Sequence, residues 1–282
     1  MRGKAIVKRS GVALASAALF TGLVGTAVPV ASVASVAITP LQAVRDALAG
    51  VRIGSPNQRT GTIGPRVDGL TQVQSANWGG YADDNSTGNT YTRVSASWKE
   101  PTVRCAGSDF VVFWVGIDGY SDSAVEQDGT LAYCSGTFVT YMDWWEMYPT
   151  NSIQFAKSIS AGDHVVSTVV FSGGQYKLTV TDKTNPSASF TTTQTCQASC
   201  SNSSAEWIAE RPEGGSGLTV LPDFGTWQVT GASATSASTK GTISSFPDDA
   251  ITMEDSAGHA LVTVSGLNLT GKEFTAKWRR SS

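Results

Sequence analysis

Residues 110–149 read FVVFWVGIDGYSDSAVEQDGTLAYCSGTFVTYMDWWEMYP. Two aromatic-rich runs, FVVFWVGIDG and FVTYMDWWEMYP, flank a shorter one centred on Val125, Glu126 and Gln127. Each run is short, dense in Val, Phe, Tyr and Trp, and closed by Gly, Asp, Ser or Pro, which is the composition of strands separated by turns. Asp118, Gln127 and Glu146 sit among tryptophans rather than in a polar loop. Alternation along the last run puts Trp144, Glu146 and Tyr148 on one face and sends Trp145 to the other. An acid ringed by aromatic groups is a candidate for an altered pKa.

Outward from this stretch the pattern repeats. VQSANWGGYA, YTRVSASWKEP, HVVSTVVFSG, QYKLTVTDK, AEWIAERP, DFGTWQVTGASA, AITMEDS, ALVTVSGLNL and EFTAKWR are strand-like and spaced by roughly ten residues. VVFSGGQYKLTV reads as a hairpin about Gly173 and Gly174. Helical periodicity is nearly absent. The predicted class is an all-β antiparallel β-sandwich of about twelve strands in two large sheets.

The chain divides by charge. Residues 1–70 carry eight Lys or Arg against two Asp or Glu, a net of +6, and residues 71–282 carry twelve against twenty-one, a net of −9. Residues 1–37 have the form of a signal peptide, with Arg2, Lys4, Lys8 and Arg9 before an uncharged apolar run and small residues beyond it. Residues 38–71 read as a pro-segment or linker; Leu41, Val44, Leu48 and Val51 recur at helical spacing. Residues 72–282 form the sandwich domain. An exported chain with an even cysteine count predicts two disulfides. Cys105, Cys134, Cys196 and Cys200 allow three pairings; Cys105–Cys134 and Cys196–Cys200 close the smallest loops. The acidic domain has no basic cluster, which excludes nucleic acid as a partner.

The chemistry is constrained by what is missing. His164 and His259 are the two histidines, both at turn-like positions, so a Ser-His-Asp or Cys-His nucleophile has no marked imidazole. No catalytic metal and no cofactor are expected. Carboxylates and amides remain. In AEWIAE, Glu206, Ile208 and Glu210 share one face. That face could be a working surface, but pattern alone favours a solvated sheet face.

Seven segments then resemble the glutamic peptidases, or eqolisins, in the same order. They are NWGGY (77–81), FWVGIDG (113–119), VEQDGT (125–130), WWEMYP (144–149), AGDHV (161–165), SSAEWIAERP (203–212) and DFGT (223–226). The wording WWEMYP looks closer to a bacterial branch than to the fungal founders. The resemblance implies a concanavalin A-like sandwich, secreted as a precursor to the extracellular space, monomeric, and acting on polypeptides at acid pH without metal. It implies that Gln127 and Glu206 are catalytic, with Glu210 as the second acid of its motif. It implies that Trp78, Trp114, Asp118, Trp144, Glu146 and Tyr148 line the substrate cleft. Fungal members carry an Asp where this chain has Met142, and Asp143 alternates to the other face. The rival reading is a carbohydrate-binding module or glycosidase on the same architecture, with Glu146 and Glu206 as its acid pair.

Overall fold

The computed structural model describes Asp46 and residues 51–282, apart from 61–63, 68–69, 85–87, 89, 108, 151–157, 198 and 238. The expected signal peptide lies outside the described residues, as does all but Asp46 and Val51 of the helical spacing at 41–51. Among the described residues no helix is long and apolar enough to cross a membrane.

The strands are β1 (Gly64–Val67), β2 (Leu70–Ser75), β3 (Trp78–Asp83), β4 (Tyr91–Lys99), β5 (Phe110–Ile117), β6 (Val125–Ser135) and β7 (Phe138–Tyr148). They continue with β8 (Ser158–Ile159), β9 (His164–Ser172), β10 (Gln175–Asp182), β11 (Phe190–Thr195), β12 (Ala205–Glu210), β13 (Glu213–Gly214) and β14 (Gly217–Leu218). The last are β15 (Thr226–Ser236), β16 (Lys240–Gly241), β17 (Asp248–Glu254), β18 (Ala260–Val264) and β19 (Phe274–Trp278). The class is all-β, as predicted.

Pairing arranges them in two layers. The front layer runs β1-β2-β17-β3-β12-β5-β6-β7-β8 and is antiparallel except for β2 beside β17. The back layer runs β11-β10-β9-β4-β15-β19-β18. The β17–β18 pairing stitches the layers into one continuous, near-barrel sheet. The turn expected at Gly173 and Gly174 is present: Ser172 pairs with Gln175, and both glycines have positive φ, as a two-residue hairpin with right-handed twist requires. Both disulfides form as the spacing favoured, Cys105–Cys134 and Cys196–Cys200.

The two layers differ in how they meet water. In β10, buried residues alternate with half-exposed or exposed ones along the strand, so one face packs and the other is solvated. In β3, β5 and β12 every residue is buried. One face of these central strands packs against the back layer through Phe113, Val115, Trp207 and Trp227. The opposite face gathers Trp78, Val112, Trp114, Leu131, Met142, Trp144 and Ile208, and Ile53 from before the sandwich completes that group. This explains why Trp144 and Trp145 are both buried although they point to opposite faces. β2 spans residues 70–75 and so begins two residues before the 72–282 domain read from the strand pattern.

Candidate active site

The register of four adjacent strands builds the site. Glu206 of β12 pairs with Gly116 of β5, Gly116 pairs with Gln127 of β6, and Gln127 pairs with Glu146 of β7. Residues directly paired across a sheet share a face. Glu206, Gln127 and Glu146 therefore stand in one row, with Gly116, which has no side chain, between the first two and the Trp114 ring lying over it. Each ladder step is about 4.8 Å, so the Glu206 and Gln127 backbones are about 10 Å apart. A β-carbon at Gly116 would lie 2.7 Å from the Trp114 ring and 3.3 Å from Gln127 Cβ.

The neighbouring rows are the floor. Ile208, Trp114, Gly129 and Trp144 form one, and Glu210, Val112, Leu131 and Met142 the next. Trp78 meets Trp114 edge-on, ring centroids 4.9 Å apart. The front face thus holds Trp78, Trp114, Trp144, Glu146 and, at the end of β7, half-buried Tyr148. Asp118 is placed differently. It sits at φ 70 just past β5, and its carboxylate accepts hydrogen bonds from the backbone N–H groups of Asn202 (2.9 Å) and Ser203 (2.6 Å) and from the Ser201 hydroxyl. It anchors the segment leading into β12.

The acids of the face are dry. Glu206 is fully buried, and neither of its carboxyl oxygens has a hydrogen-bond partner among the described residues. Burial pushes it well above the ordinary glutamate range; the nearby Ser204 hydroxyl offsets part of this, and Asp118, Asp122 and Glu126 push it further up. Glu146 is raised by burial and then by the neighbouring Glu210, against the pull of Arg52. Glu210 is also raised by burial, but it is satisfied. It accepts from Trp114 Nε1 at 2.9 Å, from the Ser55 hydroxyl at 3.1 Å and from Asn77 Nδ2 at 3.4 Å. The two acids of AEWIAE thus differ: Glu210 is held in a hydrogen-bond network, and Glu206 is not.

Gln127 donates from Nε2 to the Gly54 carbonyl at 2.5 Å and, more weakly, to Glu146 Oε2 at 3.5 Å. Sequence reading did not foresee the first partner. The approach of residues 51–58 to this face left no periodic signal, because those residues make isolated bonds rather than a strand.

Comparison with known proteins follows this geometry. The sequence model described as the Peptidase A4 family matches residues 76–277. Aspergillopepsin-2 of Aspergillus niger is 30% identical over 235 residues, covering 73% of this chain and 80% of its own length. In fold, the chain is similar to scytalido-glutamic peptidase crystallised with a transition state analog inhibitor, at TM-score 0.61 and 21% identity over 72% of this chain and 98% of that one. It is also similar to aspergilloglutamic peptidase from Aspergillus niger, at TM-score 0.53 and 28% identity over 60% of this chain and 99% of that one. These relatives are fungal, which overturns the expectation of a bacterial-type member. The wording of WWEMYP could not carry that distinction: its neighbour Met142 is buried in the apolar group of the front face, so its identity reports local packing. Matched along most of its length and similar over nearly three quarters of it to a curated member, this chain belongs to the Peptidase A4 family, the glutamic peptidases.

Proposed function

We propose that Glu206 and Gln127 are the catalytic pair of this glutamic endopeptidase, with Glu206 as general base and then acid, and Gln127 as oxyanion donor. The observation that carries the assignment is the shared row: an unpartnered carboxyl and an amide donor face one another across Gly116. In its ionised form Glu206 takes a proton from water as the water oxygen attacks the peptide carbonyl. The carbonyl oxygen gains the negative charge, and a Gln127 Nε2–H group donates to it. Glu206 then returns the proton to the leaving amine as the C–N bond breaks. An amide keeps its donor at any pH, which suits acid conditions.

Trp78, Trp114, Trp144 and Tyr148 supply the apolar walls for a polypeptide, and Glu146 holds Gln127. Asp118 acts from behind, by fixing the approach to β12. Residues 1–37 serve as the export signal and 38–71 as the pro-segment or linker of the 72–282 domain, in a concanavalin A-like arrangement of two layers. The glycosidase reading fits less well, since Glu146 and Glu206 are three ladder steps apart, about 14 Å between backbones, with Gln127 between them.

The test is cleavage of a denatured protein at about pH 3–4, where glutamate titrates, with and without pepstatin and a chelator. Activity resistant to both agents and abolished in Glu206→Gln supports the assignment. Full turnover by Glu206→Gln refutes it.

A further inference from the structure

The outward face of the back layer is reversed in charge from the domain that carries it. β4, β9, β10, β11, β15 and β16 together contain four Lys or Arg and a single acid, Asp182. Asp182 is fully buried, and its Oδ1 accepts from the backbone N–H groups of Thr184 and Asn185 at 2.8 Å each. Residues 71–282 as a whole hold twenty-one acids against twelve bases.

Register orders the cations. Lys177 of β10 pairs with Val170 of β9, Val170 with Arg93 of β4, Arg93 with Thr235 of β15, and Thr235 with Lys240 of β16. Residues paired in this way share a face, so Lys177, Arg93 and Lys240 stand on every second strand of one row. Two ladder steps separate each from the next, about 10 Å. Lys177 and Lys240 are exposed, Arg93 is half-buried, and none of the three forms an ion pair among the described residues. The adjoining row is all hydroxyl: Thr191, Thr179, Thr168, Ser95 and Ser233. Within it Ser95 Oγ and Thr168 Oγ1 are 2.7 Å apart, and Thr179 Oγ1 and Thr191 Oγ1 3.2 Å. The large apolar side chains exposed among the described residues, Phe138, Val220 and Leu269, lie outside these strands.

We propose that this face is a docking surface for an acidic polysaccharide, whose anionic groups pair with Lys177, Arg93 and Lys240 while its hydroxyls exchange hydrogen bonds with the Ser and Thr row.

The spacing selects the partner. Cations about 10 Å apart cannot converge on one small anion, which needs its donors within about 3 Å. They fit a polymer that lies across the strands and repeats a charge at about that interval. A nucleic-acid strand presents a phosphate about every 3.4 Å, roughly three for each cation here. A lipid surface calls for apolar anchors, which the face lacks. Hydroxyls both donate and accept, as sugar hydroxyls do, so the second row suits a sugar chain. The face lies on the opposite side of the sandwich from Glu206 and Gln127, so a docked polymer leaves the candidate cleft open.

The experiment passes the full chain over immobilised chondroitin sulfate, which carries acidic groups on a disaccharide repeat, and over neutral dextran. It is run at about pH 4, near the ordinary glutamate pKa, where the negative charge of the domain is reduced. The expected result is saturable binding to chondroitin sulfate and none to dextran. Combining Arg93→Gln, Lys177→Gln and Lys240→Gln should raise Kd about tenfold or more, the loss of three exposed ion pairs. Combining Lys183→Gln, Lys272→Gln and Arg280→Gln, which removes three exposed cations outside the row, should leave Kd near wild type. Lys177→Gln with Lys240→Gln, both at exposed positions, decides the matter if the loss of Arg93 prevents folding. Absence of binding to chondroitin sulfate overturns the proposal. So does equal weakening in the two triple variants, because the attraction would then be net charge rather than the row. Binding to phosphatidylserine vesicles as tight as to the polysaccharide, and lost in the first triple variant, would give the face to a membrane and overturn the polysaccharide. Binding needs no turnover, so each outcome stands apart from the assignment of Glu206 and Gln127.

Discussion

Replacing Glu100 by Gln should flatten the loss of stability that this protein suffers as pH rises toward neutral. Glu100 lies just beyond β4, away from the candidate cleft, and is almost fully buried. Its Oε2 accepts from Thr130 Oγ1 at 2.7 Å and Trp98 Nε1 at 3.1 Å, and its Oε1 has no partner among the described residues. Burial raises its pKa from 4.5 to about 7, although the two donors pull the other way. The folded state therefore holds this proton more tightly than the unfolded state. Its contribution is fully present below the unfolded pKa, falls between pH 4.5 and about 7, and is gone above that. At about 1.36 kcal/mol per pH unit, the loss is about 3 kcal/mol. Glutamine can keep the oxygen acceptor and carries no charge at any pH. Urea unfolding at several values between about pH 4 and pH 8, spanning the window above, gives the two stability profiles. The wild-type profile should fall about 3 kcal/mol further than that of Glu100→Gln, or roughly 6–12 °C in Tm. Parallel profiles would refute the reasoning, because Glu100 would then be ionising in the native state without penalty.

Four further outcomes are expected. Gln127→Ala should lower kcat by about 10²–10³-fold, the usual loss on removing one oxyanion donor, with circular dichroism and Tm near wild type. Gly116→Ala should lower kcat while leaving the strand paired, because the added methyl collides with the Trp114 ring and crowds Gln127; kinetics with an unchanged kcat would show that the placement of these two side chains does not matter to turnover. Glu210→Ala strips the acceptor from Trp114, Ser55 and Asn77 at once and should destabilise the fold by about 1–3 kcal/mol, read by urea denaturation. Removing Cys105–Cys134, which spans 29 residues, should cost about 3–4 kcal/mol on the chain-entropy account, and removing Cys196–Cys200, which spans 4, clearly less.

Much of the fold and part of the site were legible in the sequence. Alternation predicted that Trp144, Glu146 and Tyr148 share a face, and Glu206 with Ile208 and Glu210; the register bears out both groupings. It did not predict that the AEWIAE face is dry. Burial of a strand on its second face comes from residues remote in sequence, and here Ile53 and Ser55 reach across to Trp78 and Glu210. Asp118, expected in the cleft lining, sits instead at a turn with positive φ, and its hold on Ser201, Asn202 and Ser203 joins positions more than 80 residues apart.

The amino-acid sequence alone determined that this chain is all-β, which residues alternate to a common face, which cysteine pairing closes the smallest loops, and which family its motifs resemble. These follow from local periodicity and spacing, which neighbouring residues encode. Tertiary structure decided that Glu206, Gly116, Gln127 and Glu146 form one row, that Glu210 is bound while Glu206 is not, and that Gly54 reaches the amide. Those facts depend on the register of strands whose partners are distant in the chain, and register is set by how whole faces bury one another.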